Sequence, residues 1–344
     1  MLTAEIYFHQ LKFIVPGGTS RGILKMKPSW FIKIFKENKP SVFGLGECGP
    51  IDGLSIDSLK DIPIKLKEVV KNINQISEVD TLDFPSIQFG IENAFNDYYN
   101  GGERIIFKNS FIDGTPIKIN GLIWMGNKDF MLSQVKNKIE NGYSCLKLKI
   151  GAINFMDEIS IIEKIRAKFS SDVLEIRVDA NGAFKDDAFS KINQLSKLKI
   201  HSIEQPIAVN QWEEMKYLCS ESPIPIVLDE ELISISNNKD ELLDYIKPQY
   251  LVLKPTLLGG FTKTKEWIEK AKKRNIEWWI TSALESNIGL SAISQFCSEY
   301  DLKLPQGLGT GQLYSNNFTS PLKLKGEMIY YQNKMDWDLS FFKK

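Results

Sequence analysis

Four ionisable residues recur at equal intervals in the second half of the chain. Asp179 closes VLEIRVD, Glu204 closes HSIE, Asp229 closes IPIVLD and Lys254 closes YLVLK, each 25 residues after the one before. Singly, each acid would read as the solvated start of a loop. Three at one spacing, each followed by loop chemistry (ANG, QPI, EEL), read as a set. Carboxylates brought together repel one another unless a cation lies between them. No histidine or cysteine stands at a matching position, so all-oxygen ligation favours Mg2+ over zinc, with Mn2+ as the alternative. Lys149 precedes the acids and Lys254 follows them. A desolvated lysine near another cation has a lowered pKa and can act as a general base. A carbon acid beside a carboxylate is its natural partner, because a metal offsets the charge that develops there.

Each of the four residues ends a short apolar, β-branched segment that leads into a loop and a helix-like stretch. From IKINGLIWMG (117–126) onward this alternation continues: CLKLKI then NFMDEISIIEKIRAKF, LEIRVD then DDAFSKINQL, IEWWITS then IGLSAISQFCSEY. It predicts parallel strands with crossover helices, an α/β barrel of TIM type, closed by a short strand near 302–305. In such a barrel the C-terminal strand ends share one face, so residues far apart in sequence converge there. Strand parity agrees. Leu174, Ile176 and Val178 form one face of their strand and pack outward; Glu175, Arg177 and Asp179 point inward, as do Lys147 and Lys149. Inward charges must be paired or bound to a metal.

The first 116 residues read differently. Strands at 2–15, 29–35 and 41–47 precede helices at roughly 56–74 and 84–99, the second with Asp83 as N-cap and Pro85 in its first turn. They predict an α+β domain covering 1–116, a barrel over 117–320, and a segment 321–344 that returns to the first domain. PGGTSRG (16–22) has turn chemistry; its tip is a specificity candidate if the loop closes over the barrel mouth and excludes water.

The 344 residues carry no formal net charge, 43% apolar and 25% charged side chains. That balance argues for a soluble protein acting on a small molecule rather than on nucleic acid or a membrane surface. The start of the chain lacks the pattern of a signal peptide, and no apolar run reaches the length of a membrane span. Cys48, Cys145, Cys219 and Cys297 lack metal or disulfide spacing and fit a reducing, cytoplasmic setting. The oligomeric state is open.

KLKIG (147–151), DANG (179–182), EQP (204–206), DE (229–230), LKP (253–255) and GLGEC (44–48) together resemble the enolase superfamily, specifically its muconate-lactonizing-enzyme subgroup. The resemblance implies a modified (β/α)7β barrel with an α+β capping domain. It implies Asp179, Glu204 and Asp229 as Mg2+ ligands, Lys149 as acid and base, and Lys254 as its partner across the site. A lysine base with Mg2+ is a known arrangement of that superfamily. The branch that uses a late histidine base is disfavoured. Only His9 and His201 exist, and His201, off parity with Glu204, should face the helices.

Within the subgroup, Arg177, TSALESNIGL (281–290) and LPQGLGTGQLYSNN (304–317) most resemble the members that dehydrate a succinyl-hydroxycyclohexadiene carboxylate. Racemases of N-succinylamino acids and dipeptide epimerases use the same groups. The epimerases carry an acidic DxD element at the last strand, where this chain has GLGTG. Substrate contacts are expected from Lys147, Arg177, Ser282, Gly309 and Thr310, the glycine-rich turn suiting an anion or serving as a plain turn. Arg177 has a second reading as filler beneath the metal site, and Lys147 as a structural cation. Glu285 anchors its loop or Lys254. A barrel that only binds a ligand, and a Schiff-base aldolase using Lys254, are rivals; the aldolase leaves three acids unexplained.

Overall fold

The computed structural model describes residues 1–19, 22–235 and 237–343. Ser20 and Arg21, the tip of the 16–22 loop singled out for specificity, lie outside them. The chain begins with three antiparallel strands, β1 (Leu2–Thr19), β2 (Gly22–Lys36) and β3 (Lys39–Cys48), so the PGGT of the expected loop is strand on one side. Helices α1 (Ile62–Lys71) and α2 (Pro85–Tyr99) follow. Phe84, not Asp83, occupies the N-cap of α2, with no side-chain cap. Instead Asp57, in the loop before α1, reaches across to Ser86 N (3.0 Å) and Ser86 Oγ (2.6 Å).

The glycines of GLGEC are required by packing. A Cβ on Gly44 would lie 1.9 Å from Ala94 O, and one on Gly46 1.8 Å from Gly90 O, so the backbone of α2 rests directly on β3. Neither backbone can yield. Gly46→Ala should therefore destabilise the protein by about 3 kcal/mol or more, as overpacking at a rigid contact does. A urea unfolding curve superimposed on that of the parent would contradict this packing.

The second unit is a curled, wholly parallel sheet. Its strands are β5 (Gly121–Ile123), β6 (Cys145–Lys149), β7 (Glu175–Asp179), β8 (Ser202–Glu204), β9 (Ile226–Leu228), β10 (Tyr250–Leu253) and β11 (Glu277–Ile280), hydrogen-bonded in that order. Between them run α3 (Lys128–Glu140), α4 (Phe155–Arg166), α5 (Ala188–Ser196), α6 (Trp212–Glu221), α7 (Lys239–Ile246), α8 (Pro255–Leu258) and α9 (Gly260–Lys272), with α10 (Asn287–Cys297) after the last strand. Leu146, Leu148, Ile176 and Val178 are buried in one apolar cluster with Ile161, Ile165, Ile192 and Leu195 of the helices. The apolar parity set thus faces outward, into the helix layer.

Closure falls later than 302–305. Gln306 bridges Ile119 and Gly307 bridges Thr281, both in parallel, joining the two edges of the sheet. Pro305 explains the displacement, since without an N–H it cannot pair, and the two residues after it supply the ladder. At the C-terminal end, β12 (Leu322–Lys325) and β13 (Met328–Tyr331) form a hairpin that pairs with β4 (Ile117–Lys118). Beyond it the chain returns to the first sheet. Phe342 is buried against Tyr7, Phe31 and Phe318, and its carbonyl accepts from Lys33 Nζ at 2.9 Å.

Candidate active site

The register of the curled sheet assembles the site. Lys149 on β6 pairs with Asp179 on β7, which pairs with Glu204 on β8; Asp229 and Lys254 immediately follow β9 and β10. Equal steps along the chain therefore become lateral steps around one rim. Carboxylate oxygens of Asp179, Glu204 and Asp229 come within 4.8 Å of one another, and all three side chains are buried.

Three ammonium groups hold these acids. Asp179 Oδ2 accepts from Lys149 Nζ (2.9 Å) and lies 3.0 Å from Lys147 Nζ, which also donates to Glu204 Oε1 at 2.5 Å. Lys254 Nζ donates to Asp229 Oδ2. Burial raises the pKa of each acid. For Asp179 it is outweighed by Lys147, Lys149 and Lys254, which hold the carboxyl well below its usual range. For Asp229 it is outweighed by Lys254 and Lys147. Glu204 is pushed well up, by burial first and then by Asp179, against the pull of Lys147. Sequence reasoning expected lowered lysines. Burial does act that way on Lys254, but Asp229, Glu230 and Glu204 overcome it and raise the ammonium above the ordinary lysine value.

The donor set fits a hard divalent ion. Three carboxylates converge, and Asp229 Oδ1 is buried with no hydrogen-bond partner among the described residues. An unpaired buried carboxylate oxygen is costly, and coordination would remove that cost.

A pocket opens above the acids. Its floor and polar side are Lys147, Lys149, Lys254, Asn181, Asn120, Ser282, Gly309 and Thr310, and Leu24, Ile51, Leu54, Trp124 and Leu284 give an apolar wall. Of the expected contacts, Lys147, Ser282, Gly309 and Thr310 are therefore in its lining. Arg177 is not. Its guanidinium turns away from the rim to Glu175 (2.6 Å), Pro305 O (3.0 Å) and the face of Trp279 (4.2 Å). Nor does His201 face the helices. It lies 4.0 Å from the inward Glu175 and against Tyr250, because it precedes β8 in a bend where strand parity has no hold.

Two residues that sequence reasoning passed over stand beside these groups. Asn181 Oδ1 accepts from Lys149 Nζ (2.7 Å) and its amide donates to Glu230 (3.0 Å). Its φ of 46° lies in the left-handed region, which asparagine tolerates better than most residues. Gln205 Oε1 accepts from Asp229 N and Glu231 N, both at 3.2 Å, fixing the turn after β9. Both positions lie inside the DANG and EQP motifs, so the signal was present.

Residues 131–333 match the family model described as Enolase C-terminal domain-like. The o-succinylbenzoate synthase of Desulfotalea psychrophila (strain LSv54) is 43% identical over 93% of this chain and 96% of its own length. The crystal structure of MenC from the same organism superimposes with a TM-score of 0.82 at 39% identity, over 96% of this chain and 99% of that one. The N-succinyl Arg/Lys racemase of Bacillus cereus ATCC 14579 reaches a TM-score of 0.83 at 19% identity, over 99% and 97%, a likeness of fold alone.

Proposed function

This chain belongs to the enolase superfamily, and from that premise we propose that it dehydrates 2-succinyl-6-hydroxy-2,4-cyclohexadiene-1-carboxylate to o-succinylbenzoate, a carbon–oxygen lyase step of menaquinone biosynthesis. The observation that carries the reading is the charge of the pocket. Three lysines line it, paired to the acids beneath, and no carboxylate does, among the described residues, so none is left to meet a substrate cation. Such a lining suits a dianion and leaves the ammonium of a dipeptide without a partner.

The fold assigned to this reading is a modified (β/α)7β barrel over 117–320, with 1–116 as a capping domain and 321–344 tying the two together. Asp179, Glu204 and Asp229 would hold Mg2+ or Mn2+, which when bound neutralises charge growing on the ring carboxylate. Lys149 takes the proton from C1, next to that carboxylate. The C6–O bond then breaks, the ring becomes aromatic, and Lys149 returns its proton to the departing hydroxyl as water. Donor and acceptor are one amine, so the elimination is syn. Lys254, kept protonated by Asp229, faces the developing negative charge from the other side. The amides around Gly309 and Thr310, beside Ser282, take the succinyl carboxylate. The apolar wall of Leu24, Trp124 and Leu284 covers the ring. The four free cysteines, all buried, accord with a reducing cytoplasm, and no helix among the described residues is long and apolar enough to cross a membrane.

A second reading, racemisation of an N-succinylamino acid, satisfies the same charge argument and asks Lys149 and Lys254 to exchange a proton at one carbon. The assay separates them. With Mg2+ the purified protein should form o-succinylbenzoate; EDTA should abolish turnover while leaving the circular dichroism spectrum intact, and added Mg2+ should restore it. Exchange of an α-proton for deuterium in N-succinylamino acids, with no dehydration, would replace the first reading by the second.

A further inference from the structure

Two carboxylates of the first unit are inserted into the amino ends of helices in the second. Glu92, on α2, accepts from Phe261 N (2.5 Å) and Thr262 N (3.3 Å) at the start of α9. Glu47, on β3, accepts from Ser286 N (3.0 Å), Ser286 Oγ (2.5 Å) and Gly289 N (3.0 Å) at the start of α10. Each satisfies amides that a helix leaves unpaired and sits at the positive end of its dipole. At each, a glycine makes room. A Cβ on Gly260 would lie 2.4 Å from Glu92 Oε2, and one on Gly289 2.9 Å from Glu47 Oε2.

The two differ in what lies behind them. Glu92 borders a separate groove lined by Asp80, Pro85 and Lys263. Behind Glu47, at the residue preceding Ser286, a second set of hydrogen bonds begins and reaches the pocket. The fully buried Glu285 accepts from Ser282 Oγ (2.6 Å), Ala283 N (2.9 Å) and Thr256 Oγ1. Ser282 Oγ is bonded in turn to Thr310 Oγ1 (2.8 Å) and Leu284 N (3.0 Å). From β2, Ser29 Oγ donates to Glu47 (2.9 Å) and accepts from the buried Lys27 (3.3 Å), whose charge faces both Glu47 and Glu285.

This network surrounds a strained turn. Leu284 has a φ of 63°, a left-handed conformation unfavourable for a side chain with a Cβ. It persists only if its surroundings over-determine it. Ser282 holds its N–H, Tyr314 OH donates to its carbonyl at 2.7 Å, and its side chain forms part of the pocket wall.

We propose that Glu47 is a positioning residue: docked on the start of α10, it fixes the 282–286 turn, and with it Leu284 and the Ser282–Thr310 pair, which shape the pocket wall at the end of the substrate remote from the reacting carbon. The assignment rests on the dehydration reading for its substrate. Loss of contacts to a non-reacting part of the substrate raises KM and spares kcat. In Glu47→Gln, KM for the diene carboxylate should rise about tenfold with kcat within about threefold. Amide exchange of peptides spanning 282–289 should quicken in the same variant. Glu47→Asp, which keeps the charge, should recover part of KM, and it carries the test alone if Glu47→Gln does not fold. Glu92→Gln is the control, expected to lower the melting temperature with KM and 282–289 exchange unchanged. An unchanged KM and unchanged exchange in the Glu47 variants overturn the proposal, as does an equal KM effect of Glu92→Gln. If the parent protein fails to dehydrate the substrate, it is the dehydration reading that falls; the exchange measurement needs no substrate and still decides the role of Glu47.

Discussion

Lys149→Ala should lower the dehydration rate by about 10³-fold or more, toward the upper end of what a single acid–base group contributes. The loss should fall on kcat, because the proposed role puts the residue on the proton in flight, and product affinity should change little. Proton exchange at C1 with deuterated solvent should cease as well. The fold tolerates the change. Asp179 Oδ2 keeps Lys147 at 3.0 Å as a counter-charge, and only Asn181 Oδ1 loses its partner. A drop in activity with an unaltered unfolding curve thus separates chemistry from stability. Turnover at the parent rate would remove Lys149 from the role of base and leave Lys254 as the remaining lysine of the pair.

Asp179→Asn inverts that balance. The substitution keeps the side-chain shape and the acceptor for Asn181 N. It also turns an amide toward two buried ammonium groups, Lys147 and Lys149, that shared one carboxylate oxygen. Breaking a buried pair from one side typically costs about 3–5 kcal/mol, because the surviving charge is left without compensation. Here two charges survive, although Lys147 retains Glu204. The unfolding midpoint in urea with EDTA present should fall accordingly, and activity with added Mg2+ should be lost together with an oxygen of the proposed metal site. Unchanged stability in chelator would mean that the lysines are not held by Asp179, and the charge balance described for the rim would be wrong.

The rim itself was legible because two regularities coincide. A strand–helix repeat of constant length puts Asp179, Glu204 and Asp229 at equal intervals, and a period of two along β7 says which side chains point inward. Parity states a face, however, and not a depth. Arg177 shares the inward face with Asp179, yet its long side chain reaches down the pleat to Glu175 and Trp279 rather than up to the pocket. Asn181 and Gln205 were hidden for another reason. Both adopt positive φ in the turns after β7 and β8, and their aim depends on backbone twists that no hydrophobic pattern records. Closure at Gln306 and Gly307 depended on one missing N–H, at Pro305. The α2 cap was misread because Asp57, distant in sequence, supplies what the adjacent Asp83 does not.

The contact between Phe342 and the first sheet bears on the order in which a ribosome delivers this chain. Phe31 and Lys33 emerge early, but the ring and the carbonyl that complete their surroundings come 309 residues after Lys33. Until then Phe31, which is wholly buried in the finished protein, has one side open to water. Elements made earlier usually set earlier during synthesis; here the three-stranded sheet waits for a segment 309 residues further on. A nascent chain ending anywhere in the curled sheet carries an exposed aromatic face on a long strand pair, the kind of surface that chaperones hold and that aggregates when they do not.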